Sequence, residues 1–103
     1  MYIIRDIFQL KFGHYKEVKA IFDEAQNNGL FSSADEIRIL TDFTGGAYRL
    51  ILEQGHGTLA EYEQSLAHIF SDSNWNQWYG QFKQHVESSN REILKLLINS
   101  KAT

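Results

Sequence analysis

Tyr2-Ile3-Ile4-Arg5-Asp6-Ile7-Phe8-Gln9-Leu10-Lys11-Phe12 alternates with the two-residue period of a β-strand. One face takes Tyr2, Ile4, Phe8, Leu10 and Phe12, and the other takes Ile3, Arg5, Ile7, Gln9 and Lys11. A sheet face left in water is mostly polar, yet this second face keeps Ile3 and Ile7 among its charges. Both sides of the strand are therefore expected to be covered. Asp6 is the exception on the richer face, where an unpaired charge is costly, so it needs a partner or a function. Its candidate partners are Tyr15, Arg5 and Arg49.

Outward from this strand, Gly13 breaks the pattern, and Val18, Ile21, Phe22 and Ala25 then recur at helical spacing over residues 14–28. Asn27-Asn28-Gly29 reads as the helix stop. Residues 36–43 alternate again, with Ile37, Ile39, Thr41 and Phe43 opposite Glu36, Arg38, Leu40 and Asp42. Gly45-Gly46 suits a two-residue hairpin turn, after which Tyr48, Leu50 and Leu52 alternate with Arg49, Ile51 and Glu53 as far as Gly55-His56-Gly57. Thr58-Leu59-Ala60-Glu61 has the spacing of a capping box, and the helix it opens carries Leu59, Tyr62, Leu66, Ile69 and Phe70. Ser71-Asp72-Ser73-Asn74 ends it and can cap a second helix, with the stripe Trp75, Trp78, Tyr79, Phe82 and Val86. Glu87-Ser88-Ser89-Asn90 reads as a turn, residues 92–98 as a fourth strand, and the chain after Ser100 as a frayed tail.

The order β-α-β-β-α-β predicts an α+β, ferredoxin-like domain over residues 1–103, with a four-stranded antiparallel sheet and its second α element broken in two. Both helical layers cover one sheet face. The other face is expected to present Ile3, Ile7, Leu40, Ile51 and either Ile93 or Leu97, mixed with Arg5, Gln9, Arg38, Asp42, Arg49, Glu53 and Lys95. A second copy of the chain would dry it, and the alternative is a monomer with scattered surface aliphatics.

Hydrophobic residues at 43% and charged residues at 22% are the balance of a globular protein and not of a disordered one, so a folded domain is expected. With no cysteine there is no thiolate metal site, disulfide or cysteine nucleophile, which fits a reducing cytoplasm. A net charge of -3 with scattered lysine and arginine offers no face for nucleic acid. Charges at Arg5 and Asp6 and the lack of a long apolar run speak against an export signal or a membrane span.

Trp75, Trp78 and Tyr79 are candidate contacts for a flat ligand, although aromatics at helical spacing also build cores. Tyr15 and Arg49 join them as candidate ligand contacts. His56 lies between glycines at a strand end and, with Asp6, is the candidate for proton transfer. His14, His68 and His85 show no pairing by spacing beyond His14 with Glu17, so no metal site is expected; His68 and His85 read as helix-surface residues. Asp42 is a further carboxylate that needs a partner.

The first strand leading into Phe12-Gly13-His14-Tyr15, and the run from Trp75-Asn76-Gln77-Trp78-Tyr79-Gly80-Gln81-Phe82 to Val86-Glu87-Ser88-Ser89-Asn90-Arg91-Glu92-Ile93-Leu94, resemble the dimeric α+β barrel superfamily. Within it the chain looks most like small NIPSNAP-like proteins. That resemblance implies a homodimer in which two sheets form a barrel, with a cleft between sheet and helices in each subunit. The superfamily includes cofactor-independent monooxygenases of aromatic substrates, haem-degrading enzymes, lactone isomerases and proteins of no assigned activity, and fold does not choose among them. Three readings follow: a homodimer that binds a hydrophobic or aromatic small molecule without a cofactor, a cofactor-independent monooxygenase, and a non-catalytic dimerisation or regulatory module.

Overall fold

A computed structural model describes residues 1–31, 34–43 and 48–100. The chain runs β1 (Tyr2–Leu10), α1 (Tyr15–Asn27), β2 (Glu36–Thr41), β3 (Arg49–His56), α2 (Leu59–Ser71), α3 (Ser73–Phe82), a 3-10 turn (Lys83–His85) and β4 (Val86–Lys95). The strands form one sheet in the order β2-β3-β1-β4, every neighbouring pair antiparallel. This is the ferredoxin-like arrangement that the order of elements predicts. The Gly45-Gly46 turn and the tail beyond Ser100 lie outside the described residues.

Local chemistry sets the element ends. Gly13, at φ +81°, takes the chain off β1. After α1, Gly29 N–H donates to Gln26 O, and Leu30 N–H donates to Ala25 O at 3.0 Å. With Gly29 at φ +72°, these two bonds make a Schellman stop. At the start of α2 the capping box closes from both sides. Thr58 Oγ1 accepts from Glu61 N–H at 3.1 Å, and Glu61 Oε2 accepts from Gly57 N–H at 3.0 Å. Replacing Thr58 with alanine is expected to lower stability by about 1 kcal/mol, read as a lower urea midpoint at unchanged slope. Asp72 separates α2 from α3, its Oδ1 accepting from Asn74 N–H at 2.9 Å.

The helices pack on the face of Ile4, Leu10, Leu50 and Leu52, all buried. Val18, Phe22 and Ala25 of α1 meet Trp78 and Phe82 of α3 there. Ile39 points the same way yet is 39% exposed, because β2 is the edge strand and α1 leaves a cavity of about 380 Å³ beside it.

Three expected boundaries move. β1 ends at Leu10 and Phe12 lies 85% exposed; β2 ends at Thr41 with Phe43 fully exposed. The largest correction is β4. Val86 opens this strand and does not continue the helix; Glu87-Ser88-Ser89-Asn90 is strand and not turn; and Leu97 and Ile98 fall beyond the strand, more than four-fifths exposed. β4 pairs only with β1, and an edge strand tolerates polar residues that erase the apolar alternation.

On the far face, cross-strand neighbours align Ile7 with Ile51 and Ile51 with Leu40. Leu94 stands opposite Ile3, so it, and neither Ile93 nor Leu97, is the β4 aliphatic on this face. Ile93 and Lys95 stand opposite Ile4 and Tyr2 on the helix side. Among these aliphatics Glu53 is only 5% exposed, held by Arg5 Nε at 2.8 Å and by Arg38. Burial works to raise its pKa, but the two arginines outweigh it and hold the carboxyl below its usual value. A depressed folded pKa adds stability above the unfolded carboxylate range, near pH 4.3, and that stability is lost as pH falls through the lower folded value. Glu53→Gln is expected to lower stability at pH 7 by roughly 1–2 kcal/mol and to flatten the acid limb of the stability profile.

Candidate functional site

A cavity of about 440 Å³ opens between the helix-facing side of the sheet and the α2–α3 pair. β1 supplies Asp6 and Phe8, β3 supplies Leu52 and Gln54, and β4 supplies Arg91. The helices supply Trp75, Trp78, Tyr79, Phe82 and, at the exposed edge, Phe70. Strand alternation explains why one polar and one apolar set meet here. Asp6 pairs across β1–β4 with Arg91 and across β1–β3 with Leu52, and cross-strand partners share a face.

The floor is polar, with Asp6 buried and Arg91 about half exposed. Arg91 Nε donates to Asp6 Oδ1 at 2.6 Å, and Asp6 is 6% exposed. Burial opposes the charge on Arg91, while the hydrogen bond to Asp6 overcomes this and keeps the guanidinium protonated. Tyr62 is 5% exposed, and its hydroxyl makes no hydrogen bond among the described residues. Burial pushes that phenol's pKa up, and the positive charge of nearby Arg91 works the other way. His56, 2% exposed, stacks obliquely on Tyr62 with ring centroids 5.4 Å apart. Its Nε2 lies 3.1 Å from Gln54 Oε1, so the carbonyl accepts and Nε2 carries the proton. Gln54 lines the cavity and His56 stands behind it.

The walls are rings. Trp78 is 7% exposed, donates Nε1–H to Ile21 O at 3.0 Å and packs on Phe22, Phe31 and Phe82. It is therefore core first and cavity wall second. Trp75 is half-buried against Phe31 and Trp78, and Tyr79 is 43% exposed, so these two offer free ring surface.

The structure thus brings Asp6, Trp75, Trp78 and Tyr79 into one cavity and sets His56 next to it. Tyr15 is elsewhere, lining the cavity between α1 and β2. Arg49 stands opposite Gln9 on the far sheet face, its Nη2 2.9 Å from Asp42 Oδ1, so it is Asp42's partner and not Asp6's. Arg5 likewise serves Glu53. The partner of Asp6 is Arg91, hidden in sequence because its segment reads as the approach to a strand. Tyr62 and Gln54 were also missed; the only signal was a tyrosine within the apolar stripe of α2. Outside the cavity, His85 is no helix-surface residue: its Nδ1 lies 2.8 Å from His14 Nδ1. No group of three or more histidine, aspartate or glutamate residues is placed to hold a metal among the described residues. No helix there is long and apolar enough to cross a membrane.

No protein-family model matches the sequence, and no curated protein matches it. Solved structures do. A NIPSNAP family protein of unknown function from Agrobacterium tumefaciens superposes with TM-score 0.88 at 15% identity, covering 97% of this chain and 91% of that one. An uncharacterised NIPSNAP domain protein from Burkholderia xenovorans gives 0.87 at 12% identity, covering 99% and 100%. The fold is the ferredoxin-like fold of these NIPSNAP structures. A putative antibiotic biosynthesis monooxygenase from Nitrosomonas europaea follows with TM-score 0.74 at 13% identity, covering 95% and 100%. The likeness extends over nearly the whole chain, so β4 belongs to the shared fold and is not an appendage.

Proposed function

We propose that this NIPSNAP-like chain is a cytoplasmic homodimer whose cleft binds an aromatic small molecule bearing an oxygen substituent. The observation that carries the reading is the 440 Å³ cavity in which ring surface on Trp75 and Tyr79 faces the Asp6–Arg91 pair. Rings stack on the wall, and the floor orients them. Arg91 uses its Nε–H on Asp6, and the guanidinium has further N–H donors that suit a carbonyl, phenol or carboxylate oxygen. The buried Tyr62 hydroxyl adds a further polar group beside that pair, close to Arg91.

The dimer is supported by the far face, where Ile3, Ile7 and Ile51 are half-buried and Leu40 and Leu94 are 40% and 37% exposed. Each of these contributes part of the 1.5–3 kcal/mol that full burial of an aliphatic side chain is worth. Glu53 and its arginines already neutralise one another, so a second sheet would meet little uncompensated charge.

Tryptophan emission titrated with a panel of phenols, quinols and aromatic carboxylates tests the reading. A saturable change with at least one class is expected. Emission that no member alters, in a protein with a cooperative unfolding transition, contradicts it.

A second reading is catalytic. The likeness to a putative monooxygenase, together with the Asp6 carboxylate on the cavity floor and the Tyr62 phenol close to it, supports a reaction in which Asp6 takes the proton of a phenolic substrate that then reacts directly with oxygen, the neutral Tyr62 hydroxyl positioning the groups. Oxygen consumption with quinols, lost in both Asp6→Asn and Tyr62→Phe, is the expected result; equal rates in both variants and the parent remove these residues from any such reaction. The cavity itself weighs against a module that only dimerises.

A further inference from the structure

We infer that His14 and His85 form a binding site for a divalent late first-row transition metal ion, at the end of the sheet away from His56. Their Nδ1 atoms face each other at 2.8 Å, with ring centroids 5.1 Å apart and ring planes inclined by 61°. Seventy-one residues separate the two in sequence, so the pairing is made by the fold.

Both backbones are anchored around the end of β1. His14 N–H donates to Lys11 O, and its carbonyl accepts from Val18 N–H in the first turn of α1. Lys11 N–H donates to His85 O at 2.8 Å, and the next residue, Val86, pairs with Leu10 as β4 begins. The two imidazoles are therefore presented by fixed elements and not by free loops.

A direct contact between two ring nitrogens needs one to carry hydrogen and the other a lone pair. The pair thus holds one proton at a point on which two ring nitrogens converge. A metal ion that replaces this proton meets two imidazole ligands. Zinc–imidazole bonds of about 2.0–2.1 Å at a tetrahedral angle require the nitrogens about 3.3 Å apart. Opening the pair by about half an ångström, a small rotation of either ring, meets that distance.

The donor set selects the ion. Two imidazoles without carboxylate or thiolate favour copper(II), nickel(II) and zinc(II) over magnesium and calcium, which prefer oxygen. Among the described residues no third histidine, aspartate or glutamate completes a cluster with them. Both residues are half-buried and not sealed in the core, so water can fill the remaining coordination positions. Such an open shell belongs to sites that take water or a small ligand, in contrast to closed structural zinc sites.

The untagged full-length chain titrated with zinc chloride by calorimetry at pH 7.5, and with copper(II) followed by electron paramagnetic resonance, tests the site. One saturable ion per chain is expected, with superhyperfine coupling from two imidazole nitrogens. His14→Ala and His85→Ala should each weaken binding at least tenfold, magnesium should not compete, and affinity should fall with pH because the ligands must be deprotonated. His85→Gln, which keeps a hydrogen-bonding side chain at this position, separates loss of the ligand from loss of the fold and should bind as weakly as His85→Ala. Affinity unchanged in the histidine variants, coupling to fewer than two imidazoles, or no saturation below millimolar metal in a protein with a cooperative unfolding transition overturns the assignment.

Discussion

Phe82→Ala is expected to lower the unfolding free energy by about 3–5 kcal/mol, a large share of the roughly 5–15 kcal/mol available to a domain of this size. Phe82 is 1% exposed and closes the junction of all the apolar layers. Its ring meets Phe8 edge-on at 4.8 Å, Phe22 edge-on at 5.0 Å and stacks on Trp78 at 5.5 Å. Truncation removes those contacts together and leaves a void that rings on β1, α1 and α3 cannot all close. Urea unfolding followed by far-ultraviolet circular dichroism measures the loss. Phe12→Ala is the contrast, since Phe12 is 85% exposed and touches Tyr48 at the surface; its change should stay within about 0.5 kcal/mol. Equal losses in the two variants would mean that the aromatic junction is not where the core is held.

Arg91→Ala is expected to weaken aromatic-ligand binding at least tenfold and to destabilise the protein by about 1–3 kcal/mol. The first effect follows from removing the donor that faces the ring-lined cavity, and the second from leaving Asp6, 6% exposed, without its counter-charge. Arg91 is about half exposed along its side chain, so water relieves part of the penalty and the lower end of the range is favoured. Asp6→Asn in the Arg91→Ala background should restore part of the stability but none of the binding. This separates the two roles: recovery of both would make the pair structural only, and full retention of binding in Arg91→Ala would remove the guanidinium from the ligand's contacts.

Where burial differs sharply between faces, the pattern of residues sufficed to place the elements. β1 alternates because one side packs on α1 and α3, and the caps at Thr58 and Asp72 are written in side chains that bond to their own helix ends. β4 was legible only in its last four residues. As an edge strand exposed along nearly its whole length it has no burial contrast to impress on the sequence, and Ser88, Ser89 and Asn90 read as a turn. The same blindness hid Arg91, so the partner of Asp6 was not among the candidates Tyr15, Arg5 and Arg49. His14 and His85 illustrate a different limit: each is unremarkable among its neighbours, and only the antiparallel pairing of β1 with β4 brings their segments together. The aromatics were legible as a set but not in role, because the spacing that puts Trp75, Trp78 and Tyr79 near one another does not say that Trp78 turns its indole N–H to Ile21 and fills the core.

In the proposed dimer the β layer has two dry sides, with Ile51 at the middle of the row formed with Ile7 and Leu40. Sedimentation equilibrium at micromolar concentration, on the parent chain and on Ile51→Asp, measures this directly. The parent should behave as a particle of twice the mass of the 103-residue chain, and Ile51→Asp as a folded particle of single mass. A parent that sediments at single mass across that range would contradict the account.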